Sequence, residues 1–179
     1  MRVIAGEYRG RRLKVPPGVR TRPTADRVRE ALFSILGDVE DLRVADLFAG
    51  SGALGIESLS RGARDATFVE HDHGAVGILN FNLAALGIVE GAEVFEWDAL
   101  RWLETVGGSF EFDLLFLDPP YSSAPRLGKP LTELLPGVLS PTATIVTESD
   151  KRDPLVLDLP LDDERVYGDT RIAFHYVVG

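Results

Sequence analysis

Apolar positions along the chain fall into two recurring spacings. Short apolar runs near 42–47, 65–70, 92–96, 112–117 and 142–148 read as strands. Between them the apolar spacing becomes helical, giving helices near 53–61, 73–86, 98–105 and 126–136. In the second of these, Val76, Leu79, Leu83 and Leu86 form the stripe. A further helix begins at the capping residue Thr24 and runs to about Leu36, with Val28, Ala31, Leu32, Ile35 and Leu36 on one face. Asp26, Arg27, Arg29 and Glu30 fall largely outside that face. Strands alternating with helices predict an α/β fold with a mostly parallel sheet covered on both sides. The two ends depart from this rhythm. Residues 2–5 and 11–14 predict a small β-hairpin around Gly6-Glu7-Tyr8-Arg9-Gly10, broken by Val15-Pro16-Pro17-Gly18. Leu155–Leu159 and Arg171–Val178 are strand-like, joined through Asp162-Asp163-Glu164 and Tyr167-Gly168-Asp169-Thr170 with no helix between, which predicts an antiparallel pair at one sheet edge.

The chemistry-bearing residues sit where the predicted strands end. Asp118-Pro119-Pro120-Tyr121 follows the run Phe112–Leu117, and two prolines cannot continue a sheet ladder, so the chain turns there. A carboxylate, rigidly held carbonyls and an aromatic ring then lie at the edge where open α/β sheets bind ligands. That set suits a planar exocyclic amine: the oxygens accept its hydrogens and the ring stacks on the base. A plain strand-ending turn with a surface Tyr is the alternative. Upstream, the strand Val44–Phe48 leads into Ala49-Gly50-Ser51-Gly52-Ala53-Leu54-Gly55, in which Gly50, Gly52 and Gly55 fit G-x-G-x-x-G before a helix. Dinucleotides and S-adenosylmethionine are both held by such loops. Glu70 ends the strand Ala66–Val69, about where a ribose-binding acid belongs. Asp98-Ala99 follows Val94-Phe95-Glu96, and its carboxylate can accept from an adenine amine or cap the next helix.

Composition adjusts this picture in three ways. The 179 residues suffice for one domain with a sizeable core. There is no cysteine, and no apolar run resembles a signal peptide or a membrane span, so a cytoplasmic protein is expected. The three histidines, His71, His73 and His175, offer no pairing with metal-ligand spacing, and no metal is expected. The net charge of −9 is unevenly spread. Residues 1–29 hold nine basic groups and two acidic ones, a balance of +7, while the rest carries −16. A basic arm on an acidic body points to a polyanion, and all but Lys14 of its basic groups are arginine, which suits phosphate and base contacts.

Taken together, the chain resembles the RsmD-type guanine-N2 methyltransferases of small-subunit ribosomal RNA, a branch of the class I S-adenosylmethionine-dependent methyltransferases. The resemblance runs from Met1–Gly6 and Arg9-Gly10-Arg11, through Arg22–Phe33, to Asp46–Glu57 and Asp118–Tyr121. It implies one methyltransferase domain over residues 1–179, with 1–23 as a basic hairpin extension. It implies S-adenosylmethionine as cofactor, held by Asp46, Phe48, Ala49, Gly50, Ser51, Gly52, Glu70, Asp98 and Ala99, with Ala49, Gly50 and Gly52 at the methionine end. Glu70 would accept from the ribose hydroxyls and Asp98 from the adenine amine. Asp118 and the Pro119 carbonyl would hold the guanine amine, and Tyr121 would stack on the base. Arg9, Arg11, Arg12, Arg22, Arg27 and Arg29 are the expected RNA contacts, and the partner is small-subunit ribosomal RNA or a partly assembled subunit, met by a monomer. The rivals are methylation of a DNA adenine or a protein glutamine amide, an NAD-dependent oxidoreductase, and an RNA-binding module without catalysis. The oxidoreductase reading leaves Asp118–Tyr121 without a task.

Overall fold

The computed structural model describes residues 1–16, 23–106 and 108–177, with the side chains of residues 23–25 outside the description. Arg22 and the side chain of Thr24 therefore lie outside the described residues, and the helix begins at Pro23, one residue before the expected cap. After a first helix, α1 (Pro23–Leu36), the chain alternates: β1 (Arg43–Asp46), α2 (Ala53–Ser60), β2 (Asp65–Val69), α3 (His73–Leu86), β3 (Ala92–Phe95), α4 (Ala99–Val106), β4 (Phe112–Leu117) and α5 (Ala124–Leu134). A short 3₁₀ turn, Leu135–Gly137, precedes the long strand β5 (Leu139–Asp150), and β6 (Leu161–Tyr167) and β7 (Thr170–Tyr176) close the fold.

The seven strands form one sheet in the order β3-β2-β1-β4-β5-β7-β6. β1 to β5 pair in parallel, whereas β7 runs antiparallel to both β5 and β6. The chain leaves β1 in one direction and returns at β4 on its other side. That reversal opens a crevice outside the carboxyl ends of β1 and β4. Side chains alternate across the sheet. Val44, Phe68, Leu114 and Phe116 join one buried cluster with Leu32, Phe33 and Leu79; Ala45, Val69, Leu115 and Leu117 join another with Trp102, Leu103 and Leu131. Both faces are thus dry, as near-continuous apolar strands require. No helix among the described residues is long and apolar enough to cross a membrane.

Two expectations need correction. The N-terminal hairpin exists, but as a single antiparallel bridge, Arg2 with Arg12, and not as two strands. The amides of Ile4 and Ala5 are turned to the carboxylate of Glu57 on α2, at 2.8 and 3.0 Å, so they cannot continue a ladder. Val3 and Leu13 are buried in the first cluster, and the Glu7 amide donates to the Ser60 carbonyl, so the hairpin is docked on the body. At the other end, Leu155–Leu159 is not a strand. Its alternation is real, because Leu155 and Leu157 are buried in the second cluster, but the segment lies over α5, where the Asp158 amide donates to Thr132. The strand that pairs with β7 is β6, carrying Asp162, Asp163, Glu164 and Arg165. Charge suits an edge that no further strand covers.

Candidate active site at the carboxyl edge of the sheet

Three adjacent strands each deliver a carboxylate to the crevice. Asp46 is the last residue of β1 and pairs in register with Phe116 of β4, which pairs with Val146 of β5. Asp118 follows β4 and Glu148 continues β5 beside it. The loop after β1 is held by its glycines. Gly52 has φ of +80°, and a Cβ there would come within 2.3 Å of Leu79. Gly50 has φ of +54° and open space where a Cβ would point, so a ligand can reach its backbone. The loop is also pinned from both sides. Glu70 accepts from the Gly50 amide at 2.8 Å through one oxygen and from the Asp72 amide at 2.8 Å through the other. Asn82 of α3 donates to the Ser51 carbonyl and to the Lys14 carbonyl, and accepts from the Lys14 amide.

These elements enclose a cavity of about 520 Å³, within the range of small-molecule sites. Asp46, Phe48, Ala49, Gly50, Ser51, Glu70, Asp118, Pro119 and Tyr121 line it together, so residues from both sequence motifs share one space. Gly52 stands behind the loop as the residue that turns it into α2. Asp98 and Ala99 are not among the lining residues. Asp98 is exposed and accepts from the Arg101 amide at 3.1 Å, capping α4, while Ala99 is buried beneath it. The cavity also brings in Met1, Pro16, His71 and Glu148, which the sequence reading gave no role. Glu148 is the significant addition.

Electrostatically the site is a cluster of reluctant anions. Burial pushes the Asp46 carboxyl up to about 7, against the Gly55 amide that donates to it at 3.2 Å and with help from the charge of Glu70. Its other oxygen is buried without a partner among the described residues. Burial also raises Asp118 well above the usual carboxylate range, reinforced by Glu148 and Asp46. Glu148 is raised to about 7 by burial, with Arg29 opposing the shift. Cationic or hydrogen-donating ligands are what such a cluster accepts best. Tyr121 stands at the rim, 40% exposed, its hydroxyl 3.2 Å from Thr170 in the turn that begins β7.

The basic residues separate into two kinds. Arg9, Arg12 and Arg27 are exposed; Arg2, Arg9 and Arg27 line a second cleft of about 400 Å³ shared with Asp26 and Glu30. Arg11 is exposed but its guanidinium donates to the Ala85 carbonyl at 2.8 Å, near the end of α3. Arg29 is a correction to its expected place among surface contacts. It is 5% exposed, lies 3.7 Å from Glu57 and 3.2 Å from Asp26, and donates to the Arg2 carbonyl. The hairpin folds over it, so its charge is spent inside the molecule.

Comparison with known proteins agrees with this architecture. The family described as Conserved hypothetical protein 95 matches residues 1–176. Ribosomal RNA small subunit methyltransferase D of Haemophilus influenzae is 39% identical over 160 residues, covering 87% of this chain and 82% of that protein. The solved structure of a hypothetical protein of Thermus thermophilus, TTHA0928, superposes with a TM-score of 0.81 at 32% identity, covering 98% of both chains. An RNA methyltransferase from Salinibacter ruber, solved with S-adenosyl-L-homocysteine, covers 89% of this chain and 94% of its own at a TM-score of 0.65; at 19% identity it shares the fold alone. On the family match over nearly its full length and on the class I methyltransferase sheet it builds, the chain belongs to the Conserved hypothetical protein 95 family, the RsmD-type methyltransferases.

Proposed function

We propose that this protein transfers a methyl group to the exocyclic N2 amine of a guanine in small-subunit ribosomal RNA. The observation that carries the reading is the sharing of one cavity by the Gly50 loop and Asp118–Tyr121. The loop that would hold the cofactor and the residues that would hold the amine line the same space. The methyl donor is S-adenosylmethionine, which supplies an electrophilic methyl group on a positively charged sulfur. The residues present fit that donor: the open space at Gly50 admits a close backbone approach, and the Asp46 oxygen that has no partner among the described residues would accept a hydrogen bond from the donor or meet its positive charge. Glu70 holds the loop through one oxygen and its own turn into α3 through the other, and the remaining lone pairs would accept from ribose hydroxyls. Asp98 lies outside the cavity lining and caps its helix through one oxygen, so the expected contact with the adenine amine would fall to its other oxygen.

On the substrate side, Asp118 and the Pro119 carbonyl accept the two hydrogens of the amine. That would draw the nitrogen out of conjugation with the ring and free its lone pair for an electrophilic methyl group. Tyr121 stacks on the base, its ring steadied by Thr170. A base taken out of its stack costs a few kcal/mol, and stacking on Tyr121 returns roughly 1–3 kcal/mol of that. Catalysis here is mainly positioning and polarisation. After methyl transfer the positively charged nitrogen would shed one proton to Asp118, which need not be a strong base because the methylated amine is acidic. The exposed arginines of the hairpin and α1 hold the RNA backbone. The deciding experiment is mass spectrometry of ribosomal RNA from cells lacking the protein, with and without complementation. One N2-methylguanosine should vanish and return. Loss of a different modification, or of none, overturns the reading.

A further inference from the structure

Glu148 is the acidic group of the cavity that the reading above leaves without a task. The ladder between β4 and β5 pairs Leu117 with Thr147, so Glu148 lies beside Asp118, and both line the cavity with Tyr121. Where both carboxyls are ionised, the pair offers acceptors and no donor. A base held against them must present two adjacent donors. Guanine does so on the edge that carries its amine, with N1–H next to N2–H. A purine whose N1 is an acceptor, such as adenine or 2-aminopurine, would set a lone pair against a carboxylate there.

We propose that Glu148 accepts the N1–H of the target guanine while Asp118 accepts an N2–H, so that the pair selects guanine against purines with an acceptor at N1. The inference rests on the guanine-N2 reading and adds the residue that enforces it. Sites built to pair a polar group reject the mismatched analogue strongly, because the mismatch leaves a buried group unpaired. The state of Glu148 enters directly. Protonated, it would carry an O–H and could donate to an acceptor at N1. Its carboxyl is raised to about 7 by burial, with Asp118 beside it just after β4, Tyr121 on the turn beyond, and Arg29 opposing from α1. Discrimination should therefore sharpen as pH rises through neutrality.

The test compares two bases at one position. The guanosine located by the mass spectrometry above is replaced, in the RNA or particle that supports activity, by 2-aminopurine riboside. This analogue keeps the amine and loses N1–H. For the unaltered protein, kcat/KM should favour guanosine by about a hundredfold or more, and the ratio should grow between about pH 6 and about pH 8. In Glu148→Gln the amide can donate to N1 as readily as accept from N1–H. The guanosine-to-aminopurine ratio should then fall by about tenfold or more and lose its pH dependence. A ratio is insensitive to the fraction of protein folded, and calorimetry with S-adenosylmethionine checks that the variant keeps its cofactor site. Glu148→Asp, which keeps the charge, should retain more of the discrimination than Glu148→Gln. If Glu148→Gln keeps the original ratio and pH profile while guanosine is methylated, the inference is overturned and the guanine-N2 reading stands. If the unaltered protein methylates no guanosine at N2, that reading falls and takes the inference with it.

Discussion

Nε of Arg29 lies 3.7 Å from Oε2 of Glu57, and both side chains are almost wholly buried. Glu57 also accepts from the Ile4 and Ala5 amides and from Arg61 at 2.8 Å, so one carboxylate joins α1, α2 and the hairpin. Removing one partner of such a buried pair leaves an uncompensated charge and typically costs about 3–5 kcal/mol. Glu57→Ala should destabilise the protein by that order in urea denaturation, and Arg29→Ala should do nearly the same. A surface role for Arg29 would instead leave the denaturation midpoint unchanged while RNA affinity fell.

Asp118 is expected to act on the amine and not on the cofactor. Asp118→Ala should remove most turnover and leave S-adenosylmethionine affinity within a few-fold by calorimetry. Loss of cofactor binding with retained turnover at saturation would reverse the assignment. Tyr121→Phe should be milder than Tyr121→Ala, since stacking needs the ring. A small residual defect in Tyr121→Phe would reflect the lost contact with Thr170.

Asp46 gives a pH prediction. Its native carboxyl titrates near 7, whereas an unfolded aspartate titrates near its ordinary 3.8. Between those values the native state holds a proton that the unfolded chain releases. Its contribution to stability is therefore complete below about pH 4 and is lost as pH rises through about 7. Each unit of pKa difference corresponds to about 1.4 kcal/mol. Asp46→Asn should flatten the decline in urea stability across that window. Binding of a cation runs the other way: S-adenosylmethionine should bind more tightly as pH rises through neutrality, and S-adenosylhomocysteine, without the sulfonium charge, should respond less. Equal pH profiles for the two ligands would place the sulfur away from Asp46.

The exposed arginines give the RNA prediction. Neutralised phosphates release counterions, so affinity falls with salt and the slope counts the contacts. Arg9→Ala with Arg12→Ala should weaken binding of a ribosomal RNA fragment by about tenfold and flatten the salt slope in filter binding. Arg11→Ala should have a smaller effect on the slope, because its guanidinium is engaged with the Ala85 carbonyl. An unchanged slope in the Arg9/Arg12 variant would show that the hairpin does not meet the phosphate backbone.

Much of the fold was legible because buried strands are short apolar runs and their ends are marked by Gly, Pro and acidic residues. The 112–117 strand and the 73–86 helix were read with the bounds observed. So was the crevice, since Gly50, Glu70 and Asp118 each follow a short apolar run that reads as a strand. Glu148 was hidden for a specific reason. It lies inside β5, two residues before the strand ends, and its importance comes from standing beside Asp118. That neighbour is fixed by the order of strands, which spacing along the chain does not encode. Arg29 was misplaced because its helix was read as having one buried face, while the hairpin covers a second. Leu155 and Leu157 imitate a strand because alternation records burial on one side, and a segment lying over a helix is buried on one side too.

The three hydrogen bonds of Asn82 have a consequence for how the protein can be taken apart. One amide, 1% exposed, serves Lys14 in the N-terminal segment and Ser51 in the glycine loop. Cutting away the first sixteen residues would strand part of that amide in the interior, at a cost of about 1–3 kcal/mol. It would also remove Met1 and Pro16 from the cavity wall. The basic extension is thus not a detachable tag on a self-sufficient catalytic body. A truncation meant to abolish RNA contact would loosen the glycine loop as well, and the two losses would arrive as one phenotype.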